Sequence, residues 1–467
     1  MTCACTSSAE DSSLKGLIKR VQKLEAGFIS MGQELSMLRQ WASGNCNLDY
    51  FKDPCVVPRL DPVNKTDGEI TDALGHALDP GLLLPMVQFS GLPCVFALER
   101  TSPQVFAALS RLIEPIKASF MKLYVCGGCQ RSTSLVRGST TVHPENMSNT
   151  VERLDLGRQI DSIALPNLWE AVAPMPEQRS DATIMVLRGY LYVCGGQDGS
   201  GVLTSAARFD PCGMEWEVLP SMAEGRREAA GAALNSCVYV CGGANTSSPL
   251  NSAERFNPLH NAWETLPPML RQRSGAVSAV LGGYLCVAGG GDGQQPLSSA
   301  ERLVEDRWEV LPSMSCRRIR AASVVIQEKW FVCGGGDGRH VLNSAEVLDL
   351  GGIWQGLQPM ASPRWSCVAG VVAGCLYVCG GGDGASVLQS AERFDPASGS
   401  WEELPAMSCA RWDATAVVAD CLYVLGGTDE SEALNSAERF NHQSGAWEVL
   451  PSMVQARCRG AAAILIG

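Results

Sequence analysis

The sequence predicts an all-β protein arranged as a seven-bladed β-propeller. Six blades is the alternative count, and a short α-helical or coiled-coil segment precedes the propeller. Three observations predict this. A Gly-Gly pair recurs seven times after a short apolar run: Gly127-Gly128, Gly195-Gly196, Gly242-Gly243, Gly289-Gly290, Gly334-Gly335, Gly380-Gly381 and Gly426-Gly427. Seven tryptophans keep step with them (Trp169, Trp216, Trp263, Trp308, Trp354, Trp401 and Trp447), each six residues before a methionine and ten before an arginine. Each full unit also holds four short strand candidates, which in the sixth lie near Ser366–Val372, Cys375–Cys379, Ser390–Phe394 and Trp401–Leu404. The glycine pairs recur every 45–47 residues, with 68 between the first two. A period of this size marks a repeat architecture, and four short antiparallel strands per unit make one propeller blade.

Each element of the unit has a physical reason. Gly-Gly permits a turn and a close backbone approach that a Cβ would block. The tryptophan is a large anchor between blades, and truncating a buried one to alanine costs about 3–5 kcal/mol. Glu254-Arg255 and Glu392-Arg393 exemplify a repeated pair on the third strand. Neighbours on a strand point to opposite faces, so each partner is expected to bond an adjacent turn or blade. Cys126, Cys194, Cys241, Cys333 and Cys379 all fill the slot before Gly-Gly, as small hydrophobes do. Cys126 and Cys129 form a C-x-x-C with no second pair downstream, so neither a metal nor a redox site is expected there.

Composition narrows the function. The 467 residues are 46% hydrophobic, enough for a large core. The net charge of −12 argues against nucleic acid or an anionic membrane as partner, since both call for a basic face. The N-terminus lacks a signal-peptide pattern, and the most apolar stretch, Leu82–Leu98, is broken by Pro85 and Pro93. A soluble, cytoplasmic protein with reduced thiols is expected.

Along the chain, residues 1–43 read as an amphipathic helix. Leu14, Leu17, Val21, Leu24, Phe28, Met31, Leu35 and Leu38 form an a/d heptad. Residues 14–38 either pair two chains as a coiled-coil homodimer or dock on their own domain; Gly27 and Gly32 weaken the helix by about 1 kcal/mol each. Residues 44–121 read as a linker with a short helix near 103–114, opened by Ser102-Pro103. The propeller spans 122–467. Its first unit lacks a first strand, and the chain ends with a spare one, so the C-terminal strand is expected to close the ring and remove exposed edges. The first unit also carries a long polar loop over 129–150, expected either to face a ligand or to be disordered.

These motifs resemble the kelch repeat: Gly-Gly after an apolar strand, a Glu-Arg-Phe-Asp-Pro type strand and turn, then Trp six residues before Met. The resemblance covers about residues 122–467 and implies blades packed around a central channel. It also implies a protein or peptide ligand at one mouth, held by the two residues after each repeat arginine and by the loop after Gly-Gly. Carried over, the first set is Ser180, Asp181, Arg227, Glu228, Ser274, Gly275, Ile319, Arg320, Trp365, Ser366, Trp412, Asp413, Cys458 and Arg459; the loops add Asp337, Arg339 and His340. Trp365 and Trp412 are extra to the repeat tryptophans, and exposed Trp and Arg at one mouth are what binding hot spots use. Arg227, Arg320 and Arg459 suit a carboxylate or phosphorylated motif.

The expected function is therefore a non-catalytic adaptor or scaffold. Kelch-like substrate receptors of cullin-type ubiquitin ligases are the alternative, with actin association behind it, but the 121 preceding residues show neither a BTB nor a BACK pattern. Galactose-oxidase-like propellers are the enzymatic alternative. They need clustered copper ligands, whereas the five histidines here are scattered, so no catalytic residue, metal or cofactor is expected. Glycine runs such as Gly289–Gly293 imitate phosphate loops, but neither Lys-Ser/Thr nor a helix follows them.

Overall fold

The computed structural model describes residues 121–130, 147–156 and 169–466. The heptad of residues 14–38, the linker up to residue 120 with its helix near 103–114, and residues 131–146 of the long first-unit loop lie outside the described residues. Within them, 28 strands form seven four-stranded antiparallel sheets. Seven blades, not six, make the ring. Blades 2 to 7 each use four consecutive strands. In blade 6 these are Val368–Val372, Cys375–Cys379, Ala391–Asp395 and Ser400–Leu404, within two residues of the ranges expected from sequence.

The blade's amino-acid pattern explains its layering. The first strands lie side by side around the central axis. The second strands are short unbroken apolar runs such as Leu-Tyr-Val-Cys, buried on both faces between neighbouring blades. The fourth strands form the outer edge, where Val218, Val310 and Val449 are exposed. The core therefore sits between blades. One cluster joins Ala253, Leu266 and Met269 of blade 3 to Leu285, Val287 and Trp308 of blade 4. All seven repeat tryptophans donate their indole N–H to a backbone carbonyl of the preceding blade, at 2.7–2.9 Å.

The repeat arginines join one blade to the next. The carbonyl of Arg226 accepts the amide of Gly196 in blade 2 at 2.9 Å. Its guanidinium enters blade 3, donating to the carbonyls of Gly242 and Ser252 and pairing with Glu254 at 2.7 Å. The same arrangement links Arg273 to Glu301, Arg318 to Glu346, Arg364 to Glu392, Arg411 to Glu438 and Arg457 to Glu152. These glutamates also accept backbone amides from the incoming connection, as Glu392 does from Ala361 at 2.7 Å. Blade 2 departs from the pattern. Ala207 stands where the other blades carry glutamate, and Arg179 pairs instead with the half-exposed Glu177 at 3.0 Å. The following residue of the Glu-Arg pair faces the other way, as expected. Arg153, Arg208, Arg255, Arg302, Arg393 and Arg439 bond glutamates of the fourth strand in their own blade, at 2.5–2.8 Å.

Gly-Gly is required by this joint. Gly195 and Gly196 have φ of +63° and +91°. A Cβ on Gly195 would lie 2.3 Å from the carbonyl oxygen of Arg226, and one on Gly196 would lie 2.6 Å from that of Ser180.

The ring closes between the propeller's first and last strands. Ala461–Ile466 pairs antiparallel with Met121–Cys126 and becomes the innermost strand of blade 1. Across the same seam, Arg457 donates to the carbonyl of Gly127 at 3.0 Å, and Trp169 donates to that of Pro451 at 2.8 Å.

Two outcomes are expected. Arg364→Ala strands the buried Glu392 and should cost about 3–5 kcal/mol in denaturant unfolding. Arg179→Ala, which strands no buried carboxylate, should cost less, and equal losses would contradict the distinction. Deleting residues 457–467 removes both the seam strand and its arginine and should destabilise the whole propeller; a melting curve superimposable on that of the full chain would contradict closure.

Candidate functional site

Beyond each repeat arginine the chain takes two different steps. The first residue (Ser180, Arg227, Ser274, Ile319, Trp365, Trp412 or Cys458) forms an antiparallel bridge with the residue after Gly-Gly of the blade it is entering. The second residue (Asp181, Glu228, Gly275, Arg320, Ser366, Asp413 or Arg459) turns into the left-handed region, with φ between +47° and +62°. Only one of these seven is glycine, so six side chains are held at a backbone conformation that L-residues rarely adopt. The surroundings over-determine it. Each of the seven amides donates to the carbonyl of the equivalent residue one blade earlier, at 3.0–3.3 Å. The cycle closes from Arg459 to Asp181, making a backbone hydrogen-bonded ring around the axis.

All seven ring residues line a cavity of about 250 Å³, with Ala182, Ala229, Ala414 and Gly460 completing its wall. Three carboxylates face two guanidiniums, an excess of one negative charge. Arg320 pairs with Glu228 across the ring, and Arg459 donates to Asp413 at 2.9 Å and approaches Asp181 at 3.7 Å. A second layer steadies these groups. Ser274 donates to Glu228 at 3.0 Å, Gln197 donates to Asp181 at 2.9 Å, and Arg227 donates to Gln197 at 3.0 Å. The two acids respond differently. Burial raises the Asp181 carboxyl above its usual value, and Arg459 only partly offsets this. Burial also pushes Glu228 upward, but Arg320 and the Ser274 hydroxyl outweigh it and hold the carboxyl below its usual value.

The geometry separates two sets that the sequence had grouped. The second-position residues converge on the cavity; the first-position residues do not line it. Ser180, Ser274 and Cys458 are buried, and Trp412, expected to be exposed, is only 5% exposed. Trp412 packs against the partly exposed Trp365, with ring centroids 5.4 Å apart, and Arg320 sits 5.9 Å from the Trp365 ring centre. The reason is the bridge: a residue paired into a ladder projects against neighbouring strands, whereas its left-handed successor turns toward the axis. Arg339 and His340 are exposed on the loop after Gly334-Gly335, where Asp337 accepts both their amides at 2.7 Å. They also lie outside the cavity lining. Among the described residues, no three His, Cys, Asp or Glu side chains are grouped to hold a metal ion, and no helix is long and apolar enough to cross a membrane.

Because the folded-state value of Glu228 is depressed, its ionised form stabilises the ring above the unfolded carboxylate range, and that contribution is lost as pH falls through the folded value. Glu228→Gln should therefore be less stable than wild type at pH 7, with the gap narrowing under acid. A gap independent of pH would contradict the Arg320 pairing as its source.

The kelch motif family model matches residues 178–223, 225–270, 272–315, 363–408 and 414–454. No curated protein matches the chain. Among solved structures, "Structure of YjhT" superposes with a TM-score of 0.50 at 17% identity, covering 59% of this chain and 98% of that one, a likeness of fold alone. The five motifs correspond to blades 2, 3, 4, 6 and 7. Blades 1 and 5 are passed over, and in blade 5 Val347 replaces the usual third-strand arginine. Yet both have the same four strands and the same buried arginine–glutamate joint. The repeat therefore runs through all seven blades, and the chain is a kelch-repeat β-propeller protein.

Proposed function

We propose that the chain is a non-catalytic protein-interaction module that captures a peptide or protein segment at the mouth bearing the seven-residue ring. One observation carries this reading. The ring holds seven backbones in one conformation while presenting Asp, Glu, Gly, Arg, Ser, Asp and Arg, so the framework is constant and the recognition surface is not. The cavity is concave and polar, and the partly exposed Trp365, Ile319 and Arg227 stand near it as apolar and charged contacts. Arg320 and Arg459 already have carboxylate partners, so a ligand must match a ring of paired charges rather than meet bare positive charge. In this reading the heptad of residues 14–38 joins two propellers and raises avidity for a repeated ligand.

Affinity capture with the full chain tests the mouth. Trp365→Ala and Arg227→Ala should each reduce recovery of the bound protein at least several-fold, while Val310→Asp on the outer strand of blade 4 should retain it. Retention by both mouth variants, or equal loss with Val310→Asp, would overturn the assignment. Stoichiometric copper in the purified chain would overturn the non-catalytic part.

A further inference from the structure

Cys129 and Cys458 meet at the ring seam. Cys129 follows the Gly-Gly of blade 1 and Cys458 follows Arg457, so they form the first-position bridge of that blade. Their amides and carbonyls are reciprocally bonded at 2.9 and 3.0 Å, and their sulfurs lie 3.0 Å apart. A hydrogen-bonded antiparallel pair sets its Cα atoms about 5.5 Å apart, inside the range a disulfide spans. The six equivalent bridges pair Ser180 with Gln197, Arg227 with Ala244, Ser274 with Gly291, Ile319 with Gly336, Trp365 with Gly382 and Trp412 with Thr428. None contains a cysteine. The other joints between blades are continuous chain. Among the seven first-position bridges, only the one at the seam joins residues 329 apart in sequence and pairs two cysteines.

We propose that Cys129 and Cys458 are a disulfide site that makes the propeller ring covalently continuous under oxidising conditions. The oxidant is a small-molecule disulfide such as oxidised glutathione. One cysteine thiolate attacks it, the glutathione S–S bond breaks, and a mixed disulfide forms as the first glutathione leaves as thiolate. The second cysteine thiolate then attacks the protein sulfur of that mixed disulfide and releases the second glutathione. The two protons lost by the cysteines end on the two glutathione thiols, and a dithiol reductant reverses both steps. Both cysteines are buried in the closed ring, and contact with Cys129 together with burial holds the Cys458 thiol well above its usual value. The closed seam therefore shields both sulfurs from the oxidant and disfavours the Cys458 thiolate. Exchange proceeds when the C-terminal strand lifts from Met121–Cys126, and re-pairing of the strand brings the sulfurs together.

The test equilibrates the purified full chain with oxidised glutathione or with dithiothreitol. It is then quenched by alkylation, digested without reduction and mapped by mass spectrometry. The expected product is a cross-linked peptide pair containing Cys129 and Cys458, two hydrogens lighter than the separate peptides. Oxidation should raise the melting midpoint by roughly 5 °C or more, because the bond ties a very long loop. Cys129→Ser and Cys458→Ser should melt like reduced wild type and show no rise with oxidation. Recovery of Cys129 and Cys458 as separately alkylated or separately glutathionylated peptides, while the exposed Cys212 takes up glutathione, would overturn the site. So would a cross-link that leaves the melting midpoint unchanged.

Discussion

A single guanidinium, repeated seven times, holds this propeller together. Its backbone carbonyl receives the Gly-Gly amide of one blade, and its side chain is buried in the next, against two carbonyls and, in six joints of seven, a buried glutamate. A buried charge is costly unless fully hydrogen-bonded, so each arginine demands its partners in place. The repeat's other invariants follow from that demand. The glycines leave room for the carbonyl, serine or threonine supplies an oxygen to the terminal nitrogen, and glutamate balances the charge while accepting the linker amides. Blade 2 shows what is substitutable. With Ala207 in the glutamate slot, Glu177 reaches the guanidinium from two residues upstream.

The same joint positions the candidate site. Because each arginine is clamped on both sides, the next two residues have little freedom: one enters a bridge and the other is forced left-handed toward the axis. The seven-membered amide cycle then locks the left-handed residues to one another. The candidate site thus rests on bridged, hydrogen-bonded backbone rather than on long loops. Its charges are matched largely among themselves, Arg320 with Glu228 and Arg459 with Asp413, which keeps the cavity polar without a strong field of either sign.

Closure distinguishes blade 1 from the rest. Six joints inherit their proximity from chain continuity, whereas the seventh has to bring residues near 125 and 460 together by pairing alone. Six residue pairs of one strand ladder, the Arg457 clamp, the Trp169 hydrogen bond and the Cys129–Cys458 contact are concentrated there. Loop-closure entropy opposes such distant contacts most, so the accumulation of interactions at the seam has a thermodynamic reason.

The repeat, the strand positions within a residue or two, the blade count and the closing role of the last strand were all legible in the chain. They are written in local signals: Gly-Gly stops, short apolar strands before them and an apolar run displaced to the C-terminus. The even spacing of Trp447, Met453 and Arg457 already marks a seventh unit. The candidate residues were legible only as a set of fourteen positions. The division of Ser180 from Asp181, or of Trp412 from Asp413, depends on which residue pairs into the ladder and which takes positive φ, and no side-chain pattern encodes that. The Cys129–Cys458 contact was hidden further still, because Cys129 read in sequence as a partner of Cys126, three residues away. Local chemistry sufficed to specify the blade. Which side chains face one another across the axis and the seam was decided by ring closure, because those contacts join residues tens to hundreds of positions apart.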